Sequence, residues 1–226
     1  MAASDPERGT GVATSRLAAL REVAISDLDV ILDRDPSIRS RGEALLHPTL
    51  PAVWSHRVAH ALHIRGRRLM ARSLATLTRM STGVEIHPGA RIGRRFFIDH
   101  GCGVVIGETA VIGDDVTLFH QVTLGAVGWW HDRQRPEGAR RHPELGDGVV
   151  VGANATVLGP VSIGARAVVG AQALVLSDVP RGARALAPPA TVSQQATASL
   201  TPVGHQATVT PMTRPRPRPA SRPEAA

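Results

Sequence analysis

Aliphatic residues recur at every sixth position through the later part of the chain: Leu145, Val151, Val157, Ile163, Val169 and Val175. Upstream, Ile86, Ile92 and Ile98 keep the same interval, as do Ile106, Ile112, Leu118 and Leu124. A helix repeats its apolar face every 3.6 residues and a strand every 2, so neither element alone produces this beat. A hexad period predicts a parallel β-helix, in which each short strand turns one aliphatic side chain inward and three sides complete a coil of a triangular prism. Small residues at the corners fit that reading, as in Val151-Gly152-Ala153 and Ile163-Gly164-Ala165. Stacked coils then bury one another.

The beat holds from residue 83 to 190, and two departures interrupt it. The step from Ile98 to Ile106 is eight residues, which places two extra residues at Asp99-His100-Gly101-Cys102-Gly103. Between Leu124 and Leu145 the period is lost, and residues 126–144 are read as a loop thrown off one corner of the prism. A break in a regular repeat, and a long loop in a compact domain, are places where function concentrates.

Before the prism the spacing is helical. Leu17, Leu20, Val23, Ala24, Leu28 and Ile31 form one stripe, ended by Asp35-Pro36, and Trp54, Val58, Ala61 and Leu62 begin another near Pro51. Gly66 interrupts that stripe, and Leu69, Met70, Leu74 and Leu77 resume it. The chain therefore divides into a polar, disordered segment 1–14, a helical domain 15–82, the prism 83–190, and a tail 191–226 too rich in Thr, Ala, Pro and Arg to form a core. The expected class is α+β, with helices and strands segregated along the chain.

Charge and composition narrow the function. The formal net charge is +7 with no Lys, and the tail alone contributes +3 through Arg214, Arg216, Arg218 and Arg222 against Glu224. With three Phe, three Trp and no Tyr there is little aromatic surface on which bases could stack, so nucleic-acid binding is not expected. A modest positive field suits an anionic nucleotide cofactor equally well. No run of about 18 apolar residues and no signal-peptide core are present, so no membrane association is expected; the lone Cys102, which has no internal disulfide partner, fits a cytoplasmic protein.

Several ordered motifs carry a specific resemblance. Gly83-Val84-Glu85-Ile86-His87-Pro88-Gly89-Ala90, Ile98-Asp99-His100-Gly101, Val105-Ile106-Gly107-Glu108-Thr109-Ala110, His120-Gln121-Val122-Thr123-Leu124-Gly125 and Arg141-His142-Pro143 follow one another. With Asp33-Arg34-Asp35-Pro36 and Ser55-His56-Arg57-Val58-Ala59-His60 in the helical region, the set resembles the serine O-acetyltransferases of the hexapeptide-repeat acyltransferase superfamily, over about residues 25–190. The resemblance implies a left-handed parallel β-helix behind an α-helical domain, assembled as a homotrimer or a dimer of trimers. It also implies acetyl transfer from acetyl-CoA to the hydroxyl of L-serine, giving O-acetyl-L-serine for cysteine biosynthesis, with no metal or prosthetic group.

Residue by residue, the resemblance makes His100 the general base. An imidazole with an ordinary pKa near ~6.5 takes the serine proton and returns one to the departing thiolate. Glu85 stands where the family has an aspartate, and would orient the ring of His100 and stabilise the imidazolium. Asp35 and Asp99 match carboxylates that receive the substrate ammonium, while Arg141 and His142 match residues that hold its carboxylate. Coenzyme A would lie along the outside of the prism between subunits, near Gly125, Ala126, Ala153 and Ala171. Many members end in an isoleucine that docks a sulfhydrylase; this chain ends in Ala226, so that partner is not expected.

Other readings remain beside this one. An acetyltransferase acting on homoserine or a sugar uses the same prism, although a sugar needs neither a carboxylate clamp nor an ammonium partner. His56, His60 and His63 fall at helical spacing and invite zinc, but Arg57 stands where a metalloprotease signature needs glutamate, and a core-edge or subunit-facing role is preferred. The paired indoles of Trp129 and Trp130 either pack the loop or cover coenzyme A.

Overall fold

The computed structural model describes the backbone of residues 8–191 and the side chains of residues 21–191. Residues 1–7 and the tail from 192 lie outside the described residues. Four helices precede the strands: α1 (Arg8–Arg34), α2 (Arg41–Leu45), α3 (Leu50–Ile64) and α4 (Arg68–Thr82). Helix α1 starts ahead of the boundary expected at residue 15, so residues 8–14 are helical. Helix α2 was not foreseen from spacing. It is held by a variant of the Ser-x-x-Glu capping box: Glu43 N–H donates to Ser40 Oγ at 3.2 Å, while the Glu43 carboxylate accepts from the N–H of Arg39, one residue before the cap, at 2.9 Å.

The strands form a left-handed parallel β-helix. Its first coil is β1 (Glu85–Ile86), β2 (Arg91–Ile92) and β3 (Phe97–Ile98), and its second β4 (Val105–Ile106), β5 (Val111–Ile112) and β6 (Thr117–Leu118). The third coil begins with β7 (Thr123–Gly125), then helix α5 (Trp129–Asp132) within the excursion, β8 (Glu144–Leu145) and β9 (Val150–Val151). β10 (Thr156–Leu158), β11 (Ser162–Ile163) and β12 (Val168–Val169) make the fourth, and β13 (Leu174–Val175) and β14 (Arg184–Ala185) close the stack. Each side of the prism is one parallel sheet: β1-β4-β7-β10-β13, β2-β5-β8-β11 and β3-β6-β9-β12-β14.

Register puts the sixth-position residues on top of one another. Ile86, Ile106, Leu124, Val157 and Val175 form one inward column; Ile92, Ile112, Leu145 and Ile163 the second; Ile98, Leu118, Val151 and Val169 the third. Most are essentially solvent-free. Complete burial of such a side chain contributes about 1.5–3 kcal/mol each, which is why the period tolerates so little variation.

The helices fasten to the first coil by both polar and apolar contacts. Phe97 packs with Val30, Ile31, Ala44 and Leu50. Buried Asp27 of α1 pairs bidentately with Arg57 of α3 at 2.8 and 2.6 Å, and Arg57 also reaches the Gly93 carbonyl at 3.3 Å. Thr49 donates to the Ile98 carbonyl at 2.8 Å, which fixes the start of α3 against the corner after β3. Among the described residues no helix is long and apolar enough to cross a membrane.

Candidate active site

The corner joining the third sheet to the first is where the beat breaks. Its two extra residues are absorbed by left-handed backbone: His100 has φ +61°, Gly101 +76° and Gly103 +73°. That conformation costs a side-chain-bearing residue roughly 1–2 kcal/mol, and ordinary corners of the prism use it too, at Gln121, Asn154 and Gln172 on this same edge. Gly101 is doubly constrained, because a Cβ there would also collide with the Thr49 methyl group. The turn holds the His100 ring out at the rim, with 73% of its side chain exposed and Nε2 3.8 Å from Asp99 Oδ1. His120, in the equivalent corner one coil up, meets it edge-on at 5.7 Å between centroids.

Asp35 reaches the same corner from the end of α1. Hydrogen bonds from Ser37, from Oγ at 2.6 Å and from N–H at 2.9 Å, hold its carboxyl below the usual range, helped by the nearby His47 and His100. His47, in the turn between α2 and α3, is buried, and its Nε2 lies 3.8 Å from Asp35 Oδ2. Burial lowers its proton affinity, against the opposing pull of Asp35 and Asp99. Asp35, His47, Asp99 and His100 thus form one cluster built by three elements. Sequence reasoning missed His47 and His120. His120 had a signal: Leu118-Phe119-His120 repeats the offset of Ile98-Asp99-His100. His47 had none.

Glu85 opens β1 beside this corner, where Gly103 N–H donates to the Gly83 carbonyl at 3.0 Å and Glu85 N–H to that of Val104 at 2.9 Å. Its side chain does not pair with His100 as expected. Arg79 of α4 takes Glu85 Oε2 at 2.9 Å, and the carboxylate beside His100 is that of Asp99. On the same edge, Ala153 and Ala171 occupy the corners after β9 and β12 and stack directly, Gln172 N–H donating to the Ala153 carbonyl at 2.8 Å. Gly125 and Ala126 stand instead at the far end of β7, where the excursion begins.

Arg141 and His142 lie on that other edge, between the first and second sheets. Thr109 N–H donates to His142 Nδ1 at 3.1 Å, so in the neutral ring the proton sits on Nε2. Burial, reinforced by Arg141, keeps the ring's proton affinity low. The imidazole lies over Gly107, and a Cβ at that position would collide with it. Both ends of the Arg141 guanidinium are engaged, one with Glu108 at 2.6 Å and the other with Asp132 of α5 at 3.2 Å. A cavity of about 490 Å³ opens here, lined by Arg68, Glu108, Asp132, Arg133 and Arg141 among others. Trp129 and Trp130 are exposed, and the Arg133 guanidinium stacks 4.7 Å over Trp129. The first sheet separates this edge from the His100 corner, so the expected single pocket is two half-sites within one chain.

The three helical histidines turn toward the first coil: His56 is buried, His60 Nδ1 contacts the Pro88 carbonyl at 2.8 Å, and the His63 ring meets that of His87 at 6.0 Å. Among the described residues no three His, Cys, Asp or Glu side chains converge as a metal site.

Residues 142–177 match the family described as bacterial transferase hexapeptide (six repeats). The chain is 52% identical over 139 residues to a serine acetyltransferase of Mycobacterium tuberculosis, covering 61% of this chain and 58% of that protein, so it spans less than two thirds of that relative's length. It is also 52% identical over 138 residues to a serine acetyltransferase of Helicobacter pylori, covering 61% of this chain and 77% of that protein. In structure it resembles serine acetyltransferase from Brucella abortus in complex with coenzyme A, with a TM-score of 0.69 and 34% identity over 76% of this chain and 66% of the other.

Proposed function

The chain belongs to the serine acetyltransferase family, and from that premise we propose that it transfers the acetyl group of acetyl-CoA to the hydroxyl of L-serine. One observation carries the reading: the cluster of Asp35, Asp99 and His100 lies on the same prism edge as the small corner residues Ala153 and Ala171. Carboxylates beside an exposed imidazole suit an amino-acid ammonium, and a column of small corners leaves room for an extended thioester.

In the proposed reaction His100 takes the proton from the serine hydroxyl as its oxygen attacks the thioester carbonyl. A tetrahedral intermediate forms, its C–S bond breaks, and the imidazolium returns the proton to the coenzyme A thiolate. The products are O-acetyl-L-serine and free coenzyme A, with no acyl-enzyme. Asp35 and Asp99 hold the ammonium. Arg141, aided by His142, receives the substrate carboxylate in place of one of its present partners, Glu108 or Asp132. Gly125, Ala126, Ala153 and Ala171 border the coenzyme. We give Glu85 the orienting role toward His100 once it leaves Arg79, supported by its place at the start of β1 beside the His100 corner.

The two half-sites lie on different edges, so the proposal requires a second copy to bring Arg141 and His142 to the His100 corner. A homotrimer does this for three sites at once. We place the reaction in the cytoplasm, where acetyl-CoA and L-serine are both available.

The test is a panel of L-serine, L-homoserine and a hexose, each with acetyl-CoA, read by thiol release and by the mass of the product. Acetylated serine as the favoured product is expected. Turnover of the sugar alone, or of homoserine in preference to serine, overturns the reading.

A further inference from the structure

The hydrogen bonding of His47 fixes its tautomer. Thr49 has one hydroxyl hydrogen, which it donates to the Ile98 carbonyl at 2.8 Å. Its oxygen also lies 2.9 Å from His47 Nδ1, so there it accepts, and Nδ1 carries the hydrogen. In the neutral ring Nε2 therefore presents a lone pair. That lone pair stands 3.8 Å from Asp35 Oδ2, well beyond the roughly 2.7–2.9 Å of a charge-assisted hydrogen bond. With the ring packed against Phe97 at 5.6 Å between centroids and 5% exposed, burial favours the neutral form.

Two acceptors facing one another cannot satisfy each other. They are complementary to a third group carrying at least two N–H donors. We propose that His47 Nε2 accepts one hydrogen bond from the α-ammonium of the acceptor amino acid while Asp35 accepts another, making His47 a specificity-determining residue of the site. A neutral acceptor beside a carboxylate selects an –NH3+ group by geometry as well as by charge. The inference rests on the proposed serine reaction, since it names a contact to that substrate.

The charged and titratable groups facing the ring are Asp35, Asp99 and His100. Protonation of His47 would remove the lone pair and repel the ammonium, so serine affinity should weaken at acid pH through this residue. The test is steady-state kinetics of wild type, His47→Phe and His47→Gln between pH 5 and 8, a range that reaches below the ordinary imidazole value because burial lowers that of His47, with thermal melts to check folding. The phenylalanine variant is expected to raise the serine KM about tenfold or more, the scale of one hydrogen bond to a charged group. Its kcat and acetyl-CoA KM should stay within about threefold of wild type on the same scale. The glutamine variant, which keeps an acceptor, should recover part of the loss, and both variants should flatten the acid rise of the serine KM. If wild type acetylates serine but His47→Phe leaves its KM unchanged, or lowers kcat alone, the inference fails while the functional reading stands. If wild type does not acetylate serine, the reading itself has failed.

Discussion

His100 is held in left-handed backbone at φ +61° with its ring exposed, which sets an imidazole out at the rim of the prism beside Asp99. Because the ring is exposed and alanine keeps the same left-handed strain, His100→Ala is expected to change the melting temperature little while lowering kcat by roughly 10²-fold or more. Glu85→Gln tests its partner: loss of the same order in kcat supports the orienting role, whereas full activity with a lower melting temperature would assign Glu85 to its ion pair with Arg79. Stopped assays of thiol release and differential scanning calorimetry separate the two outcomes. Of the four residues clustered here, Asp99 and His100 were legible because they interrupt a strict period, and Asp35 through the motif around it. His47 was not, since burial between two helices leaves no mark on local spacing.

The strands were readable because each side of the prism needs one inward aliphatic residue, and stacking forces the same choice in every coil. Short helices obey no such repetition. Helix α2 has no apolar stripe; its signal was the Ser40-Arg41-Gly42-Glu43 capping box, a local device that period counting passes over. The histidines of α3 show the converse, a clean helical spacing that sequence alone could assign to zinc or to packing. Their surroundings yield a test of the packing role. Burial, with smaller contributions from His60 and Arg57, pushes the His56 pKa down to about 3. Above ~6.5 both native and unfolded states hold this ring neutral, but between that value and about 3 only the unfolded chain binds the proton. Stability is thus complete at neutral pH and falls as pH drops through this window, by about 2 kcal/mol at pH 5 from His56 alone. His87, lowered to about 4 chiefly by burial, acts in the same direction. Urea unfolding at fixed protein concentration should show a smaller difference between pH 7.5 and 5 in His56→Phe than in wild type; equal differences would remove His56 from the account.

Across the whole molecule, the prism sorts function by edge. The excursion leaves at the end of β7, so Arg141 and His142 are delivered to the edge between the first and second sheets. The expanded corner follows β3, so Asp99 and His100 belong to the edge between the third and first. Sequence reasoning named these residues but read them as one pocket, because a linear beat shows where coils break and not which of three corners each break occupies. If the half-sites meet only between copies, two inactive variants should rescue each other. His100→Ala supplies an intact Arg141 edge, and Arg141→Ala supplies an intact His100 corner. After the two are dissociated, mixed in equal amounts and reassembled, about a quarter of sites receive one intact half from each chain in a cyclic homotrimer, with activity to match. Each variant carried through the same treatment alone should stay inactive. If the mixture remains as inactive as its components while co-purification of the untagged variant with an affinity-tagged one shows that chains have exchanged, each site is completed within a single chain and the trimeric arrangement of the active site is wrong.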